Sequence, residues 1–179
     1  MKYFFFIWLL IYCIIPAFAQ VEGLEKDIIF NDTEDTVIVA DYKDGVWHGE
    51  CFIYNHKNDL IFQLSYKNGL KHGKGRRYHD MKLREIRIYN NDTLINHLFI
   101  ENGRLFKEIE YYENGNIKEY ITYYRNGRRM LETTYNKFGK EIEESYFRRN
   151  GIIRSRVMYE DGKHKESIYF NRKGVPNER

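Results

Sequence analysis

The side chains best suited to nucleophilic or acid–base chemistry are few here, and they fall at recurring positions. Cys51 lies three residues after His48 and five before His56, so one short stretch carries a thiol and two imidazoles. A cysteine nucleophile needs a base within hydrogen-bond reach. On a straight strand, alternate side chains point to opposite faces, and both separations are odd. Both histidines should therefore point away from Cys51, which reads as a small buried apolar residue. Its remaining covalent option is an intermolecular disulfide.

His48 and His72 each precede a glycine and stand twenty-four residues apart, which predicts a repeated packing or hydrogen-bonding role. No Cys/His or HExxH-type spacing supplies further metal ligands. Asp32, Glu34 and Asp35 are too few and too irregular for a calcium loop. The carboxylates Glu119, Glu143 and Glu166 also recur, and a carboxylate pair across a cleft can hydrolyse a glycoside. Their repetition, in a column shared with Lys107, Leu131 and Ser155, reads instead as charge matching along a sheet. The sequence predicts no catalytic residues, no cofactor and no metal.

The elements that position these residues follow a beat of about twelve. Glycines fall at Gly103, Gly115, Gly127, Gly139, Gly151, Gly162 and Gly174, at intervals of twelve with one of eleven. Traced backwards, the marks continue at Asp92, Met81, Gly69, Lys57 and Gly45. Asn-Gly or Asp-Gly recurs at Gly45, Gly69, Gly103, Gly115, Gly127, Gly151 and Gly162, as tight hairpin turns favour. Helices interrupted this often are excluded, because each interior glycine costs about 1 kcal/mol.

Between turns the period is two. Counting from each glycine, the sixth residue is Ile109, Ile121, Thr133, Ser145, Val157 or Ile168, and the eighth is Tyr111, Tyr123, Tyr135, Phe147, Tyr159 or Phe170. These columns are expected to share one face, with charged residues such as Glu108, Glu132, Glu144 and Arg156 on the other. The opposite face also carries Phe106, Met130 and Ile142, so both a folded-over second layer and a one-layer ribbon remain open.

Composition narrows the role. The chain has 179 residues with 29 basic and 26 acidic side chains, finely mixed. A phosphate-binding surface concentrates Lys and Arg on one face, so nucleic acid is not an expected partner. The basic run from Lys71 to Arg77 is short and reads as a solvated sheet face. Residues 1–19 resemble a cleaved export signal: Lys2, an apolar run from Tyr3 to Ile15, and Ala17-Phe18-Ala19 before a new N-terminus at Gln20. That run is short for a membrane span of about 20 residues. Export to a periplasm or the medium follows as an expectation. Cys51 is then the one cysteine left, and no intramolecular disulfide can form. Residues 20–41 are expected to be a loosely held lead-in and a first strand at Thr36–Ala40, followed by repeats over 42–174 and a tail over 175–179 that Pro176 excludes from a central strand.

Tyr66-Lys67-Asn68-Gly69-Leu70-Lys71-His72-Gly73-Lys74-Gly75-Arg76-Arg77-Tyr78 resembles the membrane occupation and recognition nexus (MORN) repeat. Tyr42-Lys43-Asp44-Gly45-Val46-Trp47-His48-Gly49 is a partial second match. The units from Asn102 onward lose His-Gly and are similar to the variant MORN repeats of exported bacterial proteins, often labelled antitoxin-like. The resemblance implies an all-β fold, an elongated, twisted antiparallel meander of β-hairpins in which two twelve-residue units make one repeat. It also implies a scaffold or interaction role without catalysis.

The expected function is a protein-interaction or structural module at the cell envelope, with Tyr111, Tyr123, Tyr135 and Tyr159 as the candidate surface. Tyrosines present an apolar ring and a hydroxyl together. The alternatives are a carbohydrate- or anionic-membrane-binding module, touching membrane without spanning it, and a hydrolase of envelope glycan. A terminal strand is also free to accept a strand from elsewhere.

Overall fold

A computed structural model describes residues 24–31 and 35–177. The proposed signal segment and Asp32 and Glu34 lie outside the described residues. The strands are β1 (Glu25–Asn31), β2 (Thr36–Lys43), β3 (Val46–Asn55), β4 (Leu60–Lys67), β5 (Leu70–Lys71), β6 (Gly73–His79) and β7 (Lys82–Asn90). They continue as β8 (Thr93–Glu101), β9 (Arg104–Tyr111), β10 (Ile117–Tyr123), β11 (Arg129–Tyr135), β12 (Glu141–Phe147), β13 (Ile153–Glu160) and β14 (Lys163–Tyr169). All fourteen form one open antiparallel sheet in chain order, with the short β5 set beside β4 ahead of β6. The protein is an all-β meander of hairpins.

The lead-in is more ordered than expected. Ile28, Ile29 and Phe30 pair with Val39, Ile38 and Val37, so the segment before Asn31 is itself a strand. An apolar, β-branched partner gives it a surface to pack on, which its mixed composition concealed.

Two turn geometries produce the beat. Asp44-Gly45, Asn68-Gly69, Asp80-Met81, Asn91-Asp92, Asn102-Gly103 and Asp161-Gly162 have positive φ at both residues, the signature of two-residue type I′ hairpins. At Gly115, Gly127, Gly139, Gly151 and Gly174 only the glycine is left-handed. There Gly115 N donates to Tyr112 O and Tyr112 N to Asn116 O, a type I turn closed by a glycine bulge, and the other four repeat this. The preceding Asn114 keeps ordinary φ, and its Oδ1 accepts from Asn116 N at 3.1 Å.

A type I′ mark ends a step of eleven and the bulged turn adds a residue. Gly49 and Gly73, both at positive φ, add one more inside the units that carry His-Gly. At the reversal midway between Gly45 and Gly69 the left-handed residue is therefore Asn58, at φ 66, and not Lys57.

The expected single aromatic face is corrected by the register. Directly paired residues of antiparallel strands share a face, and Ile109 pairs with Tyr120, not with Ile121. Ile121 pairs with Glu108 and Glu132. Equivalent positions therefore swap faces at every strand, because a unit of about twelve residues with a reversal brings neighbours out of phase by one. One face, called front, carries Ala40, Cys51, Leu64, Gly75, Arg87, His97, Ile109, Tyr120 and Thr133 as successive neighbours. The back face carries Glu108, Ile121, Glu132, Ser145, Arg156 and Ile168.

The sheet is one layer, since the strands in substantial contact are neighbours in the sheet. Among the described residues, Ala40, Cys51 and Ile121 are the buried apolar side chains, joined by Thr133, Ser145 and His97. These lie on both faces. Small side chains in mid-strand are covered by long ones on adjacent strands: Ser145 lies between Glu132 and Arg156, and Thr133 between Tyr120 and Glu144. Burial along the sheet, between successive units, replaces a second layer.

Candidate binding groove

The front face of β3, β4, β6 and β7 carries a groove. Its centre is Gly75, a buried mid-strand glycine. A Cβ added there would stand 2.9 Å from Leu64 Cδ2 and 3.4 Å from Tyr89 Cε2. Glycine in a strand interior marks close approach by neighbouring groups or a ligand. Here Leu64 and Tyr89 close over the glycine and, with Ile53 and Phe62, line a groove of about 250 Å³, with Lys71, Arg77 and Arg87 around it.

The cations are placed by aromatic rings and by one carboxylate. Lys71 Nζ sits 5.7 Å from the centre of the Tyr89 ring, and the Arg77 guanidinium 5.9 Å from that of Phe62. Both distances suit cation–π attraction. Glu85 Oε1 accepts from Arg77 Nη1 at 2.8 Å, and Oε2 accepts from Arg87 Nη2 at 2.8 Å. His97 Nε2 lies 3.0 Å from the same Oε2 and donates to it, because a carboxylate offers only acceptors. That tautomer leaves Nε2 with no lone pair for Arg87 Nε, 3.4 Å away. Burial alone would raise the Glu85 pKa, but hydrogen bonds from Arg77 and His97 and the charge of Arg87 outweigh it and hold the carboxyl below its ordinary value. Burial also lowers the His97 pKa, with Glu85 opposing and Arg87 adding. The result is an anchored pair of guanidiniums over an apolar floor, with Arg77 half-exposed.

The residues singled out by sequence lie elsewhere. Cys51 is 1% exposed, and burial, then Asp41 and Glu50, push its thiol up to about 11. A thiol so protonated is a poor nucleophile. His48 Nδ1 lies 3.2 Å from Asn68 Oδ1 and His72 Nδ1 3.2 Å from Asn91 Oδ1, so both rings fasten the next tight turn to the bulge before it. Glu119, Glu143 and Glu166 stand on the back face in line with Glu110, Thr134 and Met158. Glu143 Oε1 accepts from Arg156 Nε at 3.0 Å and from Ser145 Oγ at 2.8 Å. Burial, then Glu132, raises the Glu119 pKa. Among the described residues no group of three or more His, Cys, Asp or Glu is placed to hold a metal ion.

The tyrosine surface is divided. Tyr111, Tyr135 and Tyr159 follow Ile109, Thr133 and Val157 onto the front face, while Tyr123 follows Ile121 onto the back. Tyr123 donates to Glu108 Oε2 at 2.7 Å and Tyr159 to Glu144 Oε2 at 3.0 Å, so both hydroxyls are engaged within the sheet. Burial and then Glu144 push the Tyr159 phenol up to about 12. Burial first, then Glu108, pushes the Tyr123 phenol strongly upward. Sequence reasoning placed Lys71–Arg77 on a solvated face and left Arg87, Glu85 and His97 unremarked. The available signal was Gly75, a glycine off the beat in a basic strand.

No protein-family model matches the chain, and no curated protein does. Among solved structures, a TarM mutant from S. aureus, in complex with fondaparinux, alpha-GlcNAc-glycerol and UDP, aligns over 92% of this chain and 24% of its own. Its identity is 8% and its TM-score 0.30, values at which the likeness carries no argument. This chain thus spans about a quarter of that structure's length. Among the described residues no helix is long and apolar enough to cross a membrane.

Proposed function

We propose that this chain is an exported, non-catalytic repeat module of the MORN type that binds another protein at the cell envelope, holding it on a sheet face. The observation that supports this reading is the groove around Gly75: an apolar floor with oriented cations on an open one-layer sheet. Apolar surface with a charged border is the anatomy of a protein-binding patch. The groove contains no nucleophile paired with a base, and its one carboxylate is neutralised by two arginines and a histidine.

Affinity capture on the immobilised chain from a cell-envelope fraction, with the eluted polypeptides identified and then re-bound in purified form, tests the reading. A purified polypeptide that binds saturably is expected. Saturable retention on cell-wall glycan, or cosedimentation with anionic vesicles, with no polypeptide bound, would overturn it.

A further inference from the structure

Resting on that reading, we infer that the Gly75 groove takes an extended polypeptide segment of the form acidic–x–apolar–x–acidic. Each end of the groove carries a cation, and its middle is Gly75, with the apolar Leu64 on one side and Arg87, held toward Glu85, on the other. Lys71 stands over Tyr89, which pairs with Gly73, and Arg77 stands over Phe62, its own pairing partner. From Gly73 to Arg77 is four residues of strand, about 13 Å at ~3.3 Å per residue. An extended ligand has the same rise and the same alternation. Side chains at its first, third and fifth positions therefore point to one side and match cation, floor and cation in turn.

Charge and volume favour this occupant. Lys71, Arg77 and Arg87 against Glu85 make the groove's side chains net positive, with Asp92 bound to the Lys71 backbone at its rim, and a positive groove favours an acidic ligand. Arg77 is half-exposed and Arg87 is 37% exposed at the side chain, so both side chains stay accessible from solvent while bound to Glu85. Glu85 and His97 hold them in place beforehand, which reduces the ordering cost of binding. The cavity of about 250 Å³ is smaller than the roughly 300 Å³ at which drug-sized ligand pockets begin. It accommodates one apolar side chain. A lipid concentrates its charge in one headgroup and extends a long chain, which suits neither the separated cations nor the short floor.

The test is a fluorescence-anisotropy titration of the full chain with a labelled, capped seven-residue peptide carrying glutamate at its second and sixth positions, phenylalanine at its fourth and serine elsewhere. Two controls replace both glutamates by glutamine, or move them next to the phenylalanine. The designed peptide is expected to bind about tenfold tighter than either control. Arg77→Gln and Lys71→Gln should each weaken it about tenfold, while Lys74→Gln on the back face should leave it unchanged.

Equal affinity for all three peptides, absence of binding, or indifference to Arg77→Gln and Lys71→Gln in variants with unaltered circular dichroism would overturn the inference. So would phosphatidylglycerol vesicles that bind through Lys71 and Arg77 while the peptide does not. If a purified envelope partner binds the Arg77→Gln chain as tightly as the original, the groove assignment fails and the interaction-module reading survives. If no partner polypeptide binds the original chain, that reading itself fails.

Discussion

The two halves of the sheet solve the same problem by different chemistry. From β2 to β8, tight turns tuck against bulges: Gly69 N donates to Trp47 O at 2.8 Å, Asp92 N to Lys71 O at 2.9 Å, and Lys71 N to Asp92 Oδ1 at 2.8 Å. From β9 to β13 the turns are bulged, and side chains span the gap to the next turn on the same edge. Tyr112 and Tyr124 hydroxyls donate to Tyr135 O and Phe147 O at 2.8 and 2.7 Å, and Asn114 and Asn126 Nδ2 donate to Lys137 O and Arg149 O at 2.8 Å. The first half departs from regularity and makes the groove. The second repeats one clasp every twelve residues. Irregularity and the groove coincide in the same strands.

Substitutions that separate the halves should rank by how tightly each site is packed. Gly75→Val drives a branched side chain into Leu64 and Tyr89 and should cost about 2–3 kcal/mol by urea unfolding. Gly127→Ala meets nothing within 4 Å but sits at φ +79, so it should cost about 1–2 kcal/mol through backbone strain alone. A larger cost at Gly127 than at Gly75 would erase the distinction between a packing glycine and a turn glycine.

Next comes Glu85→Gln, expected to cost about 1–1.5 kcal/mol, because it weakens charge-assisted bonds from Arg77, Arg87 and His97, the first of them half-exposed and screened. The pH dependence has a defined sign. Both Glu85 and His97 have lowered pKa values in the folded state, from ordinary values of 4.5 and 6.5. A group with a lowered folded value contributes stability above its unfolded pKa and loses it as pH falls through the folded value. Stability should therefore decline below about pH 6.5 through His97 and again below about pH 4.5 through Glu85. Unfolding midpoints of Glu85→Gln and the original chain should converge under acid; a constant gap would show that the carboxylate charge is not what matters.

Smaller effects are expected in the regular half. Tyr124→Phe removes one bond to Phe147 O and should cost about 1 kcal/mol, with hydrogen exchange accelerating at the turn it clasps. Smallest is Lys140→Gln, whose exposed pair with Asp161 at 3.4 Å should be worth less than about 0.5 kcal/mol. A large loss in either would mean that the turn edge carries more of the stability than the sheet interior.

Much of the fold was legible because its signals are local. An Asn-Gly or Asp-Gly pair needs only its own backbone to specify a reversal, so nearly every turn could be placed. Asn58 was missed by one residue because asparagine, like glycine, tolerates the left-handed region and no glycine marked it. The strand at Glu25–Asn31 was missed because its stabilising partner lies in the next strand. The groove was the least legible part. Lys71, Arg77 and Arg87 are scattered in sequence, and their convergence depends on which face each strand presents.

By itself, then, the sequence determined an all-β meander, its turns, and the burial of Cys51, because turn propensity and the two-residue period act over a few residues. The tertiary structure decided the assignment of faces. One residue of register inverts every side chain of a strand, and the bulges that set that register act only once the strands are paired. That step divided the tyrosines between two faces and gathered Phe62, Gly75, Arg77, Arg87 and Tyr89 on one.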